Sequence, residues 1–355
     1  MGVQKILIKI FLVLIAVTVA LIACFELSDS FVEYISLVSS PLRLGLMRKK
    51  IPPVKAQSVF VAGDIMLDRG VERLIQKSKD WQYPFKEIAS TSKNFDFALA
   101  NLEGPVMGNP PDTGISSMSF AFASSTLLGA QEANFRIFSL ANNHTYNMSY
   151  SGLDETRLLL GQLGMRGVGH PFGCTTTDIY ATGSLVFFTF NDTFPGNCTS
   201  GQLVSIITAL RQENTTSLIM VMPHWGEEYS LYSNARQKDL AHTLVAAGAD
   251  LIVGSHPHVV QEIEQYQGKL IFYSLGNFIF DQYFSKNTQQ GLGLGLSISE
   301  NTSSLALWPL DLSLSQPKLM DATSSALFLQ SLSGRSSPEL SEAIKKCYIE
   351  IEHKP

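Results

Sequence analysis

The stretch "LIVGSHPHVVQ", residues 251–261, opens as the apolar run of a buried parallel strand and closes on two histidines, His256 and His258, set around a proline. The chain holds 7 histidines in 355 residues, so this pair asks for a reason. Working outward, the pattern recurs. Other short β-branched or aromatic runs end in a residue able to bind a metal ion or move a proton: Asp64 in "SVFVAGD", Asn101 and Glu103 in "DFALANLEG", Asn143 and His144 in "FRIFSLANNH", His224 in "SLIMVMPH". Amphipathic segments such as "ARQKDLAHTLVAAGA" lie between the runs, this one with Gly248 as its helix stop. Strands alternating with helices predict an α/β protein with helices on both faces of its sheet structure. In open α/β sheets the carboxyl ends of strands converge on the ligand crevice, so these polar ends point to one place.

Each residue also has a plainer role. Asp64 can cap a helix, Glu103 can belong to a turn, His224 can be a satisfied buried histidine, and the "SHPH" pair can stabilise a turn. Their recurrence at one edge favours a shared site. Imidazole and carboxylate are the usual ligands of divalent zinc, manganese or iron, and an asparagine oxygen can complete the shell. A carboxylate bridging two such ions makes a centre that generates hydroxide at neutral pH, suited to phosphoryl or acyl hydrolysis.

Net charge is −5, with 16% charged and 45% hydrophobic residues, which describes a folded protein and argues against nucleic acid as a partner. At the N-terminus, Lys5 and Lys9 precede an apolar run from Ile10 to Phe25. Residues 1–27 are expected to form a signal anchor or signal peptide, with the rest outside the cytoplasm. "LIAC" offers another reading, a lipobox with Cys24 as the lipidated mature N-terminus. Residues 28–56 read as a juxtamembrane linker, 57–315 as the folded domain, and 316–355 as a C-terminal extension with a helix in "SPELSEAIKKCY". Cys174 and Cys198 flank a strand and fit either a disulfide or two unrelated thiols.

The segments "VAGDIMLDRGV", "FDFALANLEGPV", "FSLANNHTYNMSYSGLDET", "MPHWGEEYSLYSNARQKDLAHTLVAAGADLIVGSHPHVVQ" and "IFYSLGNFIFDQ" resemble the successive motifs of the CapA family, the poly-γ-glutamate capsule synthesis proteins related to calcineurin-like metallophosphoesterases. The resemblance spans residues 57–312. It implies a four-layer α/β/β/α sandwich of the metallophosphoesterase type behind an N-terminal membrane helix. It implies Asp64, Glu103, Asn143, His224, His256 and His258 as metal ligands, with Glu103 bridging. His144 and Asp64 are implied as catalytic, and Asn101, Asn142 and Asn277 as supports to the ligands. Met66 stands where the parent signature has a metal-binding histidine, and Asn147 where relatives more often have aspartate. The cofactor is expected to be manganese, zinc, iron or magnesium. The expected partners are poly-γ-glutamate or another envelope substrate and membrane synthase subunits. Two functions stay open at this level: a metal-dependent hydrolase or transferase outside the membrane, and a non-catalytic accessory or polymer-binding subunit with a vestigial metal site.

Overall fold

The computed structural model describes residues 57–352, apart from 176–177, 195–196 and 300–301. The expected membrane segment, the linker and Cys24 lie outside the described residues. Among those described, no helix is long and apolar enough to cross a membrane.

In chain order the strands are β1 (Gln57–Ile65), β2 (Phe97–Leu102), β3 (Val106–Met107), β4 (Phe122–Ala123), β5 (Phe135–Ser139), β6 (Arg166–Val168), β7 (Ile179–Thr182), β8 (Leu185–Asn191) and β9 (Leu218–His224). They continue as β10 (Leu251–Val253), β11 (Ile263–Tyr266), β12 (Lys269–Phe272), β13 (Asn277–Ile279), β14 (Gln290–Ile298), β15 (Thr302–Asp311), β16 (Lys318–Leu319) and β17 (Tyr348–Glu352). The α-helices are α1 (Arg69–Ser78), α2 (Ala89–Ser92), α3 (Thr126–Glu132), α4 (Ser149–Gln162), α5 (Ser200–Glu213), α6 (Ala235–Ala247), α7 (Ala322–Arg335) and α8 (Ser341–Lys345).

Two sheets form. One runs β16-β15-β14-β1-β2-β5-β6, with β13 also on β1 and β17 also on β15; the other runs β11-β12-β10-β9-β8-β7. Strand β1 shows why its sequence is apolar throughout. Val59 and Val61 on one face join an apolar layer with Phe187, Met220 and Val253 of the second sheet. Phe60 and Ala62 on the other face pack with Val71 of α1, Leu127 of α3 and Leu153 of α4. A strand buried on both faces loses the polar alternation of a half-exposed one. The second sheet is covered likewise, by Leu203 and Ile207 of α5 and Leu240 and Leu244 of α6. Three apolar layers thus hold two sheets and their outer helices together.

The chain beyond residue 315 belongs to this body. Strand β17 pairs antiparallel with β15, and Phe328, Leu329 and Leu332 of α7 are buried in the layer between the sheets.

The parallel strands end in register. Asp64 pairs with Asn101 and with Asn277, Asn101 pairs with Ser139, and His224 bridges to Ser255. Two glycines bring the backbone close enough for this. A Cβ on Gly63 would lie 2.0 Å from the Gly276 carbonyl oxygen, and one on Gly254 would lie 2.0 Å from the Tyr273 carbonyl oxygen. These neighbours are backbone and cannot swing away. Gly63→Ala should therefore force β1 from β13 and cost about 3 kcal/mol, the upper end of ordinary overpacking. A thermal melt of the variant checks this; an unchanged midpoint would count against so close an approach.

Cys174 and Cys198 are disulfide-bonded, with Cα atoms 5.8 Å apart. The bond ties the loop after β6 in one sheet to the loop after β8 in the other.

Candidate metal centre

From the first sheet come Asp64, Asn101 and Glu103, all fully buried. The Asn101 amide donates to Asp64 Oδ1 at 2.8 Å and to Glu103 Oε2 at 3.3 Å, which turns both carboxylates the same way. Asn101 is fixed by Asn142, whose Nδ2 donates to Asn101 Oδ1 (3.0 Å) and to the Leu102 carbonyl (2.8 Å). The Asn142 oxygen in turn accepts from the His144 and Thr145 N–H groups and the Thr145 hydroxyl. This buried amide locks the turn after β5, and with it His144.

From the second sheet come His224, His256 and His258. His224 Nε2 lies 2.9 Å from the half-buried Asn143 Oδ1, and its Nδ1 lies 3.0 Å from Ser255 Oγ. His256 donates its backbone N–H to Asp64 Oδ2 at 3.2 Å. His258 Nδ1 meets Asn277 Oδ1 at 3.0 Å and Asp64 Oδ2 at 3.4 Å, and its Nε2 lies 3.6 Å from Glu103 Oε1. His256 and His258 have φ of +96° and +59°. That left-handed region is uncommon for histidine, and backbone held there clusters at functional sites.

The structure brings the expected ligands together in two groups. Ligand atoms of Asp64, Glu103 and His224 lie within 4.8 Å of one another, and so do those of Glu228, His256 and His258. Glu103 stands between the groups through its contact with His258. Metal ions fit this donor set on an independent observation: among the described residues, Glu103 Oε1 and His256 Nδ1 are buried without a hydrogen-bond partner. An orphaned buried carboxylate oxygen or ring nitrogen is costly unless something occupies it.

Protonation agrees. Burial holds His224 well below the usual histidine range and lowers His144 and His256 to about 4, so all three present neutral imidazoles. Burial pushes the Glu103 carboxyl well above its usual range. Burial also opposes charge on His258, but the facing Glu103 and Asp64 raise it to about 9. The cluster thus holds a proton that a divalent cation would displace.

His144 Nδ1 lies 3.1 Å from Asn147 Oδ1, which also accepts the Phe120 N–H at 2.8 Å. That oxygen assigns the proton to Nδ1 and leaves Nε2 free, 3.9 Å from Glu103 Oε1. Asn147 therefore still orients His144. Met66 is fully buried in the outer apolar layer, where its sulfur accepts the Asp68 N–H at 3.1 Å, so it supplies no ligand. Sequence reasoning missed Glu228, an exposed carboxylate in "PHWGEEY"; its signal was an acid four residues after a strand-end histidine. Asn277 bonds His258 through Oδ1 while its amide donates to Gln282 and to the Thr288 carbonyl.

Residues 58–172 and 183–282 match the family described as bacterial capsule synthesis protein PGA_cap. The capsule biosynthesis protein CapA of Bacillus anthracis is 29% identical over 295 residues, covering 76% of this chain and 72% of that protein. The PGA biosynthesis protein CapA of Bacillus subtilis is 28% identical, covering 75% of each. A probable polyglutamine synthesis accessory protein of Mycobacterium tuberculosis is 22% identical, covering 63% of this chain and 74% of that one.

Proposed function

This chain belongs to the bacterial capsule synthesis protein PGA_cap family, and on that premise we propose that it serves poly-γ-glutamate capsule synthesis, export or anchoring from outside the cytoplasm through a divalent-metal hydrolase or transferase site of the metallophosphoesterase kind. The observation that carries the reading is the convergence of Asp64, Glu103, His224, Glu228, His256 and His258 with two orphaned donor atoms among them.

In this reading Asp64, Glu103 and His224 hold one ion, with the Asn143 oxygen beside His224, and Glu228, His256 and His258 hold another. Bound ions would supply Lewis acidity and a water of lowered pKa. The chain supplies the rest. Glu103 fixes the spacing of the two groups, and Asn101 and Asn142 hold the carboxylates in line. His144 faces the cluster through an unprotonated Nε2, placed to take a proton from the attacking water oxygen and return it to the departing oxygen of a phosphoester or nitrogen of a γ-glutamyl amide. The substrate is a phosphoester or a γ-glutamyl bond. Lys5 and Lys9 before the apolar run, and the Cys174–Cys198 disulfide, support a domain tethered outside the membrane beside synthase subunits. Lipidation at Cys24 is the alternative tether.

A second reading, an accessory subunit without turnover, draws support from Met66 at a ligand position and from the accessory role in the name of the Mycobacterium relative. His144→Asn separates the two. The variant should keep its metal, measured by elemental analysis, and lose about 100-fold or more in hydrolysis of a nitrophenyl phosphodiester or of γ-glutamyl peptides, the usual contribution of a general acid or base. Capsule formation that survives His144→Asn untouched would leave the accessory reading.

A further inference from the structure

Arg69 takes no part in the ligand set, yet its guanidinium stands one aromatic ring away from it. The central carbon of the guanidinium lies 4.9 Å from the Phe120 ring centroid and 5.7 Å from that of Phe280. These two rings meet edge-on at 6.1 Å and are both buried. Phe120 packs on His144 with ring centroids 4.3 Å apart, and Phe280 packs on His258 at 4.8 Å. A guanidinium over aromatic faces is held by the ring quadrupoles, more strongly where water is excluded.

Hydrogen bonds fix the same head in its plane. One end pairs with Asp281 and the other donates to the Ser117 carbonyl at 3.1 Å, while Nε makes no hydrogen bond. Asp281 directly follows Phe280 and also accepts the Gly70 N–H at 2.9 Å. Asp68 completes the grip: its Oδ2 accepts the Thr113 hydroxyl and the Ala121 N–H, both at 2.8 Å. Residues 108–121 join β3 to β4 without a helix or strand of their own, so these bonds set where Phe120 sits. From Phe120 the grip reaches His144 twice, through the packed ring and through Asn147 Oδ1, which accepts the Phe120 N–H and faces His144 Nδ1. Arg69 has φ of +51°, so its backbone bears strain where α1 begins.

We propose that Arg69 is a positioning residue of the metal centre: with Asp68 and Asp281 it clasps the Phe120 and Phe280 rings, and Phe120 aims the His144 imidazole at the cluster. A staple between loops would need only the ion pair with Asp281. A planar fork that reaches two partners while its face covers two rings is called for when the place of the rings matters. The proposal rests on the reading that His144 moves a proton, and it adds what aims that residue.

The test uses the full chain in detergent micelles with isotope-labelled histidine, zinc as the added ion, and NMR at neutral pH. The His144 ring signal is assigned by its loss in His144→Asn, and in wild type the Phe120 ring current should shift it upfield. Two variants loosen the clasp. Arg69→Lys keeps a charge opposite Asp281 but has neither fork nor planar face. Arg69→Met with Asp281→Asn removes both charges together, so that neither is left buried alone. In each, the His144 signal should move back downfield. The signal of His242, stacked on Tyr266 at 3.7 Å, should stay, which a general loosening of the fold would not allow. Hydrolysis of the nitrophenyl phosphodiester or γ-glutamyl peptides should fall in kcat about tenfold or more, with KM and metal content unchanged. Added to His144→Asn, Arg69→Lys should cost nothing further, as residues that act as one unit do not add. A His144 signal that stays in place in both variants, or a loss that multiplies with that of His144→Asn, overturns the proposal. If the double variant fails to fold, Arg69→Lys carries every readout alone. A signal that moves while wild type hydrolyses nothing would sink the proton-transfer reading and leave the clasp standing.

Discussion

Replacing His256 and His258 together with asparagine is expected to strip the protein of most of its bound divalent metal and leave it folded. Asparagine is the apt substitute, because it tolerates the left-handed backbone that both positions adopt. If the pair only stabilised a turn, the cost would be about 1–2 kcal/mol from lost hydrogen bonds, with metal content unchanged. His256 Nδ1 makes no hydrogen bond at all, so its ring offers little to lose on that account. If they are ligands, the change removes two of the three donors of one group and, with His258, one of the side chains facing Glu103. Binding to the native state alone stabilises by about 4 kcal/mol when free metal is a thousandfold above Kd. Wild type should therefore melt lower after chelation, and the double variant should melt low with or without chelator. Glu103→Gln should behave alike, since it removes the charge shared by both groups. Full metal occupancy in the double variant, by elemental analysis, would refute the metal centre.

Ending the chain at Ser315 is expected to abolish folding, although the family match stops at residue 282. The lost segment buries Phe328, Leu329, Leu332, Leu340, Ile344, Ile349 and Ile351 in the layer between the sheets. At about 1.5–3 kcal/mol for each large side chain, that is at least as large as the whole stability of a typical domain, about 5–15 kcal/mol, over most of that range. The segment also braces the chain after His258: Arg335 Nη2 donates to the Val260 carbonyl, the Ile263 N–H donates to Ser336 Oγ, and the Ser337 N–H donates to the Ile263 carbonyl. Circular dichroism and a thermal melt check the truncated protein. A cooperative transition near the wild-type midpoint would show that the core closes without residues 316–355.

The strand-end residues were legible because parallel strands buried on both faces leave no solvent-facing reason for polarity. Asp64, Asn101, Glu103 and His224 each break an apolar run, and each reaches the cluster. Glu228 was not legible, since it follows a strand in a loop without periodicity and stands beside an equivalent-looking Glu227. Only the path of the chain after Gly226 decides which carboxylate reaches His256 and His258. The left-handed backbone at those histidines was also hidden, because residue preference there would name glycine or asparagine. Residues 316–355 read as an extension because α7 is rich in serine and β17 is short. Their burial depends on partners far away in the chain, β15 above all.

The two groups of ligands draw on opposite sheets, from Asp64 near the start of the described chain to His258 almost two hundred residues later. For the group of Asp64, Glu103 and His224 no emerging or unfolded stretch carries all the donors, so its ion can be captured only when both sheets have met. The supply of metal where the two sheets close, rather than where the chain is made, would then decide which element occupies that group.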